Sequence, residues 1–212
     1  AREGADLPAA GAELEGADGF NHLTTTAVIG VGNQMHSKFA YPAHSAAVMG
    51  MRFADHINVE AMRFITDVIL PFVPPEAPSV TEPARAFVAL HWRHGDYVPY
   101  KHVKPGDYIA ERAQDGLARL QCPRCPVFLL TNCQDDAAIA ALRRDLAANP
   151  GAPLLRYQPD EASVFTAEGQ RLAVDQAIAS RSGIFLSHGR SAVSTFIEYE
   201  RSALGLTWNV RV

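Results

Sequence analysis

Cysteine is scarce in this chain: three among 212 residues. That is too few for a disulfide-built scaffold, and the odd count leaves one unpaired or pairing elsewhere. Long apolar runs are absent as well, and nothing approaches the roughly 18 residues of a membrane span. No basic-then-apolar signal peptide opens the chain. It begins AREGADLPAA without Met, so a mature, trimmed or fragment chain is expected. Positive charge is not concentrated: 19 Lys and Arg stand against 23 Asp and Glu, net −4, with no basic cluster to track nucleic acid. The HExxH pattern and the nucleophile elbow do not occur. What remains is a 48% hydrophobic, 20% charged sequence, able to bury a core as one large domain or about one and a half small ones.

Residues 1–40, rich in Ala, Gly and Glu at first, read as a poorly ordered lead-in or remnant of a preceding domain. Within them GVGNQ, Gly30 to Gln34, lacks both the GxGxxG spacing and the Walker lysine and is read as a turn. Between Tyr41 and Pro71, Met51, Ala54, Ile57, Ala61, Phe64, Ile65 and Val68 recur at three- and four-residue steps, an apolar helical stripe. His56 within it is expected at the surface or boundary. Five prolines from Pro71 to Pro83 form a stiff linker, so 41–84 is helix plus linker.

From 85 to 212 strands and helices alternate. Strands are expected at Ala86–His91, Val127–Thr131, Pro153–Tyr157 and Gly183–Ser187. Helices are expected near Asp107–Leu120, Asp135–Ala148, Gly169–Ser182 and Ala192–Leu204, with Asp107 as a cap for the first. Alternation with right-handed crossovers implies a parallel sheet with helices on both faces, a Rossmann-like α/β fold.

Three strand-to-helix corners then share one sheet edge, where ligands bind in such folds. The first is His91-Trp92-Arg93-His94-Gly95-Asp96, the second Thr131-Asn132-Cys133, and the third runs from Ser187 to Phe196 into the last helix. Arg93 offers a rigid fork of donors suited to phosphate oxygens, and a helix start offers free N–H groups. Arg93 and the Ser194–Thr195 corner could together hold a diphosphate; the alternative is that Ser194 or Thr195 only caps the helix. Asp175, on a helix between apolar neighbours, is a further candidate. Cys122 and Cys125 have CxxC spacing but precede a strand, which fits a local disulfide or plain thiols better than a redox pair. With Cys133 they make three sulfurs, one short of a closed zinc site unless His102 joins. No metal or cofactor is expected.

Several segments together resemble the GDP-fucose protein O-fucosyltransferases, most of all the type acting on thrombospondin repeats. They are MRFADH (Met51 to His56), HWRHGDY (His91 to Tyr97), VFLLTN (Val127 to Asn132), VDQAIASRSGIFLSHGRSAVSTF (Val174 to Phe196) and EYERSALGL (Glu198 to Leu206). The resemblance spans about residues 45–206 and implies the C-terminal, donor-binding half of a two-domain GT-B glycosyltransferase. It places the HxR motif on His91, Trp92 and Arg93, with Arg93 catalytic through the diphosphate, and makes Asp175, Ser194, Thr195 and Phe196 contacts of GDP-fucose. The implied reaction is inverting transfer of fucose from GDP-β-L-fucose to Ser or Thr of a protein acceptor, such as a small cysteine-rich repeat, in the endoplasmic reticulum or Golgi lumen. The chain departs from the pattern at Asn132, an amide where the family usually has a carboxylate. The segment from Asp175 to Thr195 is two residues longer than usual. The family's glycine-rich acceptor-side segment has only a chance echo in Gly19-Phe20-Asn21, and its glutamate base finds no match. A non-catalytic GDP-sugar-binding fragment or degenerate homologue is therefore the alternative.

Overall fold

The computed structural model describes residues 52–75, 77, 85–100, 102–148, 151–189, 191–206 and 209–211. The lead-in, the GVGNQ turn, the start of the first helix stripe and most of the proline-rich stretch lie outside them.

The apolar runs form parallel strands β1 (Val88–Trp92), β2 (Val127–Thr131), β3 (Leu154–Leu155) and β4 (Ile184–Ser187). A fifth, β5 (Asn209–Arg211), pairs parallel with β4 and was not expected from the sequence. Helices α1 (Asp55–Phe64), α2 (Gly106–Arg119), α3 (Asp136–Ala148), α4 (Glu168–Ser180) and α5 (Ala192–Ala203) complete the fold. The sheet order is β3-β2-β1-β4-β5, and its register sets Trp92 beside Thr131 and Leu90 beside Leu186.

Side chains alternate across each strand, so the sheet has two buried faces. Val88, Leu90, Trp92, Val127, Leu129 and Leu186 meet α2 and α3 through Ile109, Leu117, Ile139 and Leu142. Phe87, Ala89, Phe128, Leu130 and Phe185 meet α1 and α4 through Phe64, Ile65, Val174 and Ile178, with Ile197 of α5. The helix stripe ahead of the proline-rich stretch thus shares a core with the sheet. It continues past Phe64 as a wider turn over Ile65–Ile69 and a tight one over Leu70–Phe72, and it stops at Val73, which is extended as a residue before a proline, here Pro74, tends to be. Gly116 lets α2 approach closely, since a Cβ there would stand 3.2 Å from Val88.

Two local expectations are corrected. Asp107 is not the cap of α2. The Pro105 carbonyl already accepts the Ile109 N–H at 3.1 Å, so Pro105 holds the cap position and Asp107 sits in the first turn. The third strand shrinks to two residues, pairing with β2 only at Leu154 and Leu155, and beyond it the Tyr157 hydroxyl donates to Glu60 Oε1 at 2.9 Å. Arg201, fully buried, explains β5: it donates to Asn209 Oδ1 at 2.7 Å and to the carbonyls of Ser182 and Gly183.

Candidate functional site

The chain winds from β1 outward through β2 to β3, then returns to β4 on the other side of β1. At that reversal the connections leaving β1 and β4 diverge and open a crevice at the carboxyl edge, the usual ligand position in open parallel sheets. A cavity of about 600 Å³ lies at this edge. Its wall includes Arg93 after β1, Asn132 after β2, Arg156 after β3, Arg171 and Asp175 on α4, and Ser191 at the start of α5.

Of the residues expected at the site, His91, Arg93 and Asp175 line the cavity. His91 is buried at the end of β1, with Nδ1 2.7 Å from Ser194 Oγ. Arg93 reaches across the crevice, its Nη1 donating to Ser191 Oγ at 3.3 Å. Ser194 is buried, and its hydroxyl also accepts the His188 N–H at 3.0 Å. It is therefore neither a simple cap nor a wall of the cavity. The cap position belongs to Ser191, which makes no side-chain cap bond. Ala192 and Val193 bring the first turn of α5 to the cavity, and N–H groups of a first turn lack intrahelical partners.

The other three expected contacts point elsewhere. Trp92 follows His91 along β1 and so faces the opposite side of the sheet. It is packed in the α2–α3 core, with Nε1 donating to the Lys104 carbonyl at 3.1 Å. The Thr195 hydroxyl donates to the Ser191 carbonyl at 3.1 Å. The Phe196 ring packs edge-on against Phe53 at 5.2 Å.

Asp175 is half-buried and lines the cavity. Removal from water pushes its carboxyl from an ordinary 3.8 up to about 8, against the pull of Arg171 and Arg156. This favours the protonated carboxyl at neutral pH. Burial likewise pushes the Cys133 thiol up, which makes it a poor nucleophile.

Sequence reading missed Arg156 and Arg171, and it included Ser191 in the third corner without singling it out. Arg156 directly follows β3, the kind of strand-end position that drew attention to Arg93. Arg171 lies four residues before Asp175, which puts both on one face of α4. Among the described residues no group of three or more His, Cys, Asp or Glu could hold a metal ion, and no helix is long and apolar enough to cross a membrane. Cys122 and Cys125 are joined in a disulfide, and Cys133 is free and buried.

No family model matches the sequence, and no curated protein matches it. Solved structures do resemble it. POFUT1 in complex with GDP, in its third crystal form, aligns with a TM-score of 0.57 at 17% identity, covering 81% of this chain and 50% of that one. POFUT1 in complex with GDP-fucose gives 0.56 at 15% identity over 81% and 49%. The apo form of POFUT1 gives 0.56 at 15% identity over 81% and 50%. The shared feature is the fold, and the present chain spans about half the length of the structures it matches.

Proposed function

We propose that this chain binds GDP-fucose at the carboxyl edge of its sheet and serves transfer of fucose to a Ser or Thr hydroxyl of a protein acceptor, with inversion. One observation carries the reading: Arg93 and the start of α5 meet at the cavity, with Nη1 donating to Ser191 Oγ at 3.3 Å. A guanidinium and a helix start both favour anions, and together they suit the diphosphate of a nucleotide sugar. The fold likeness to POFUT1, crystallised with GDP and with GDP-fucose, supports this ligand. A cavity of about 600 Å³ lies within the range of small-molecule sites.

Breaking the glycosidic bond builds positive charge on the sugar and negative charge on the departing GDP. Arg93 would stabilise the second, with first-turn N–H groups of α5 beside it. Such contacts strengthen as charge develops, so they lower the barrier more than they tighten substrate. In this reading the arginine supplies the positive charge and no metal is required. Arg156, Arg171 and Asp175 would meet the nucleoside end, with Asp175 able to ionise when a ligand N–H group approaches. The acceptor would be a protein segment in a lumenal compartment, by the same reading.

A second reading is a nucleotide-sugar-binding module without transfer, favoured by Asn132, an amide where the resembled family usually has a carboxylate. Calorimetric titration with GDP and GDP-fucose, followed by assay of fucose release or transfer, separates the two. Heat with both ligands and a fucosylated product support the transferase. Binding without turnover supports the module, and no heat at millimolar ligand sinks both.

A further inference from the structure

The loop that carries Arg93 is held from the neighbouring strand. Asn132 Oδ1 accepts the N–H of His94 at 2.8 Å and that of Gly95 at 3.1 Å. Only the oxygen of an amide can take two N–H donors, so the orientation of Asn132 is set by this pair. One residue earlier, the Thr131 hydroxyl donates to the Trp92 carbonyl at 2.5 Å and accepts the Cys133 N–H at 3.0 Å. Gly95 completes the arrangement through its lack of a side chain. A Cβ there would come within 2.9 Å of the Asn132 carbonyl oxygen, closer than real side chains approach.

The backbone on both sides of Arg93 is thereby tied to two consecutive residues at the end of β2. Its guanidinium, in turn, reaches the opposite wall at Ser191. We propose that Asn132 is the positioning residue for Arg93: its amide oxygen fixes the peptides that follow Arg93 and so aims the guanidinium across the cavity. This rests on the anion-binding reading of Arg93. The clamp needs an acceptor oxygen, not a charge, and a neutral amide avoids a negative group beside the arginine that must meet a diphosphate. A loop fixed before the ligand arrives spares the ordering that binding otherwise requires.

The test compares Asn132→Leu, similar in volume but without an acceptor, with Asn132→Asp, which keeps one. Amide hydrogen exchange at His94 and Gly95 reads the clamp, and calorimetry with GDP reads its consequence. In Asn132→Leu both amides should lose protection, and GDP affinity should fall about tenfold or more through misplacement of Arg93. In Asn132→Asp the protection should persist. Should Asn132→Leu fail to fold, Gly95→Ala crowds the same clamp from the other side and should give the same two losses. Retained protection in Asn132→Leu overturns the proposal, as does lost protection with unchanged GDP affinity. If the unaltered protein gives no heat with GDP, the proposed function fails on its own. The clamp is then judged by the Arg93 side-chain resonance, which should shift in Asn132→Leu as its contact with Ser191 is lost; an unshifted resonance overturns it.

Discussion

The Nδ1 of His91 lies 2.7 Å from the hydroxyl of Ser194, 103 residues further along the chain. That hydroxyl also accepts the His188 N–H, so one buried oxygen joins the ends of β1 and β4 to the first turn of α5. Ser194→Ala removes both bonds where water has little access. The loss should be about 1–3 kcal/mol of stability, read as a lower urea midpoint with an unchanged slope. A midpoint equal to that of the unaltered protein would contradict a structural role for the two bonds.

Arg93 is half-buried and faces the cavity. A charged hydrogen bond to a phosphate contributes about 1.5–3 kcal/mol, so Arg93→Ala should weaken GDP binding roughly ten- to a hundredfold with little change in unfolding. Arg93→Lys keeps the charge but not the fork and should recover only part of that loss. Calorimetry on the two variants decides it, and wild-type affinity in Arg93→Ala removes the residue from the site.

Asp175 makes stability depend on pH. Its folded-state pKa of about 8 lies above the ordinary 3.8, so the native state holds a proton that the unfolded chain releases. Its neutral form favours folding at pH below about 4, and this advantage is lost progressively as pH rises through about 8. Asp175→Asn should flatten the fall in stability between these limits and leave the variant the more stable of the two at pH 8.5. Urea unfolding across pH 4–9 measures the difference, and parallel curves for the two proteins would contradict the assignment.

The Cys122–Cys125 disulfide precedes β2, at the opposite end of the sheet from the cavity. It closes a very short loop, for which chain entropy predicts about 2 kcal/mol. The double change of Cys122 and Cys125 to Ser should lower the unfolding midpoint and leave GDP affinity as it is. Weakened GDP binding in that variant would mean that the two ends of the sheet are coupled.

Much of the architecture was legible because it depends on local pattern. Val127–Thr131 reads as a strand and is one, and the helices α2 to α5 lie within two residues of their expected bounds. β5 was not legible. Asn209–Arg211 has no pattern of its own and becomes a strand only through pairing with β4 and the Arg201–Asn209 bond.

The site divides in the same way. Arg93 could be singled out from the sequence because an apolar run must end in a loop, and the residue after it must stand at the sheet edge. Strand alternation also separates Trp92 from His91, although both belong to one motif. The corner from Ser187 to Phe196 could be placed on the same edge as Arg93, but which of its residues reaches the cavity, and that Arg156 and Arg171 join it, could not be read from local pattern. Arg156 and Arg171 come to the cavity from the crossover between β3 and β4, Ser191 from the connection between β4 and α5, and their meeting follows from the strand order β3-β2-β1-β4-β5. Local sequence determines where a strand stops; which distant strand end lies beside it is decided by how the sheet buries both of its faces.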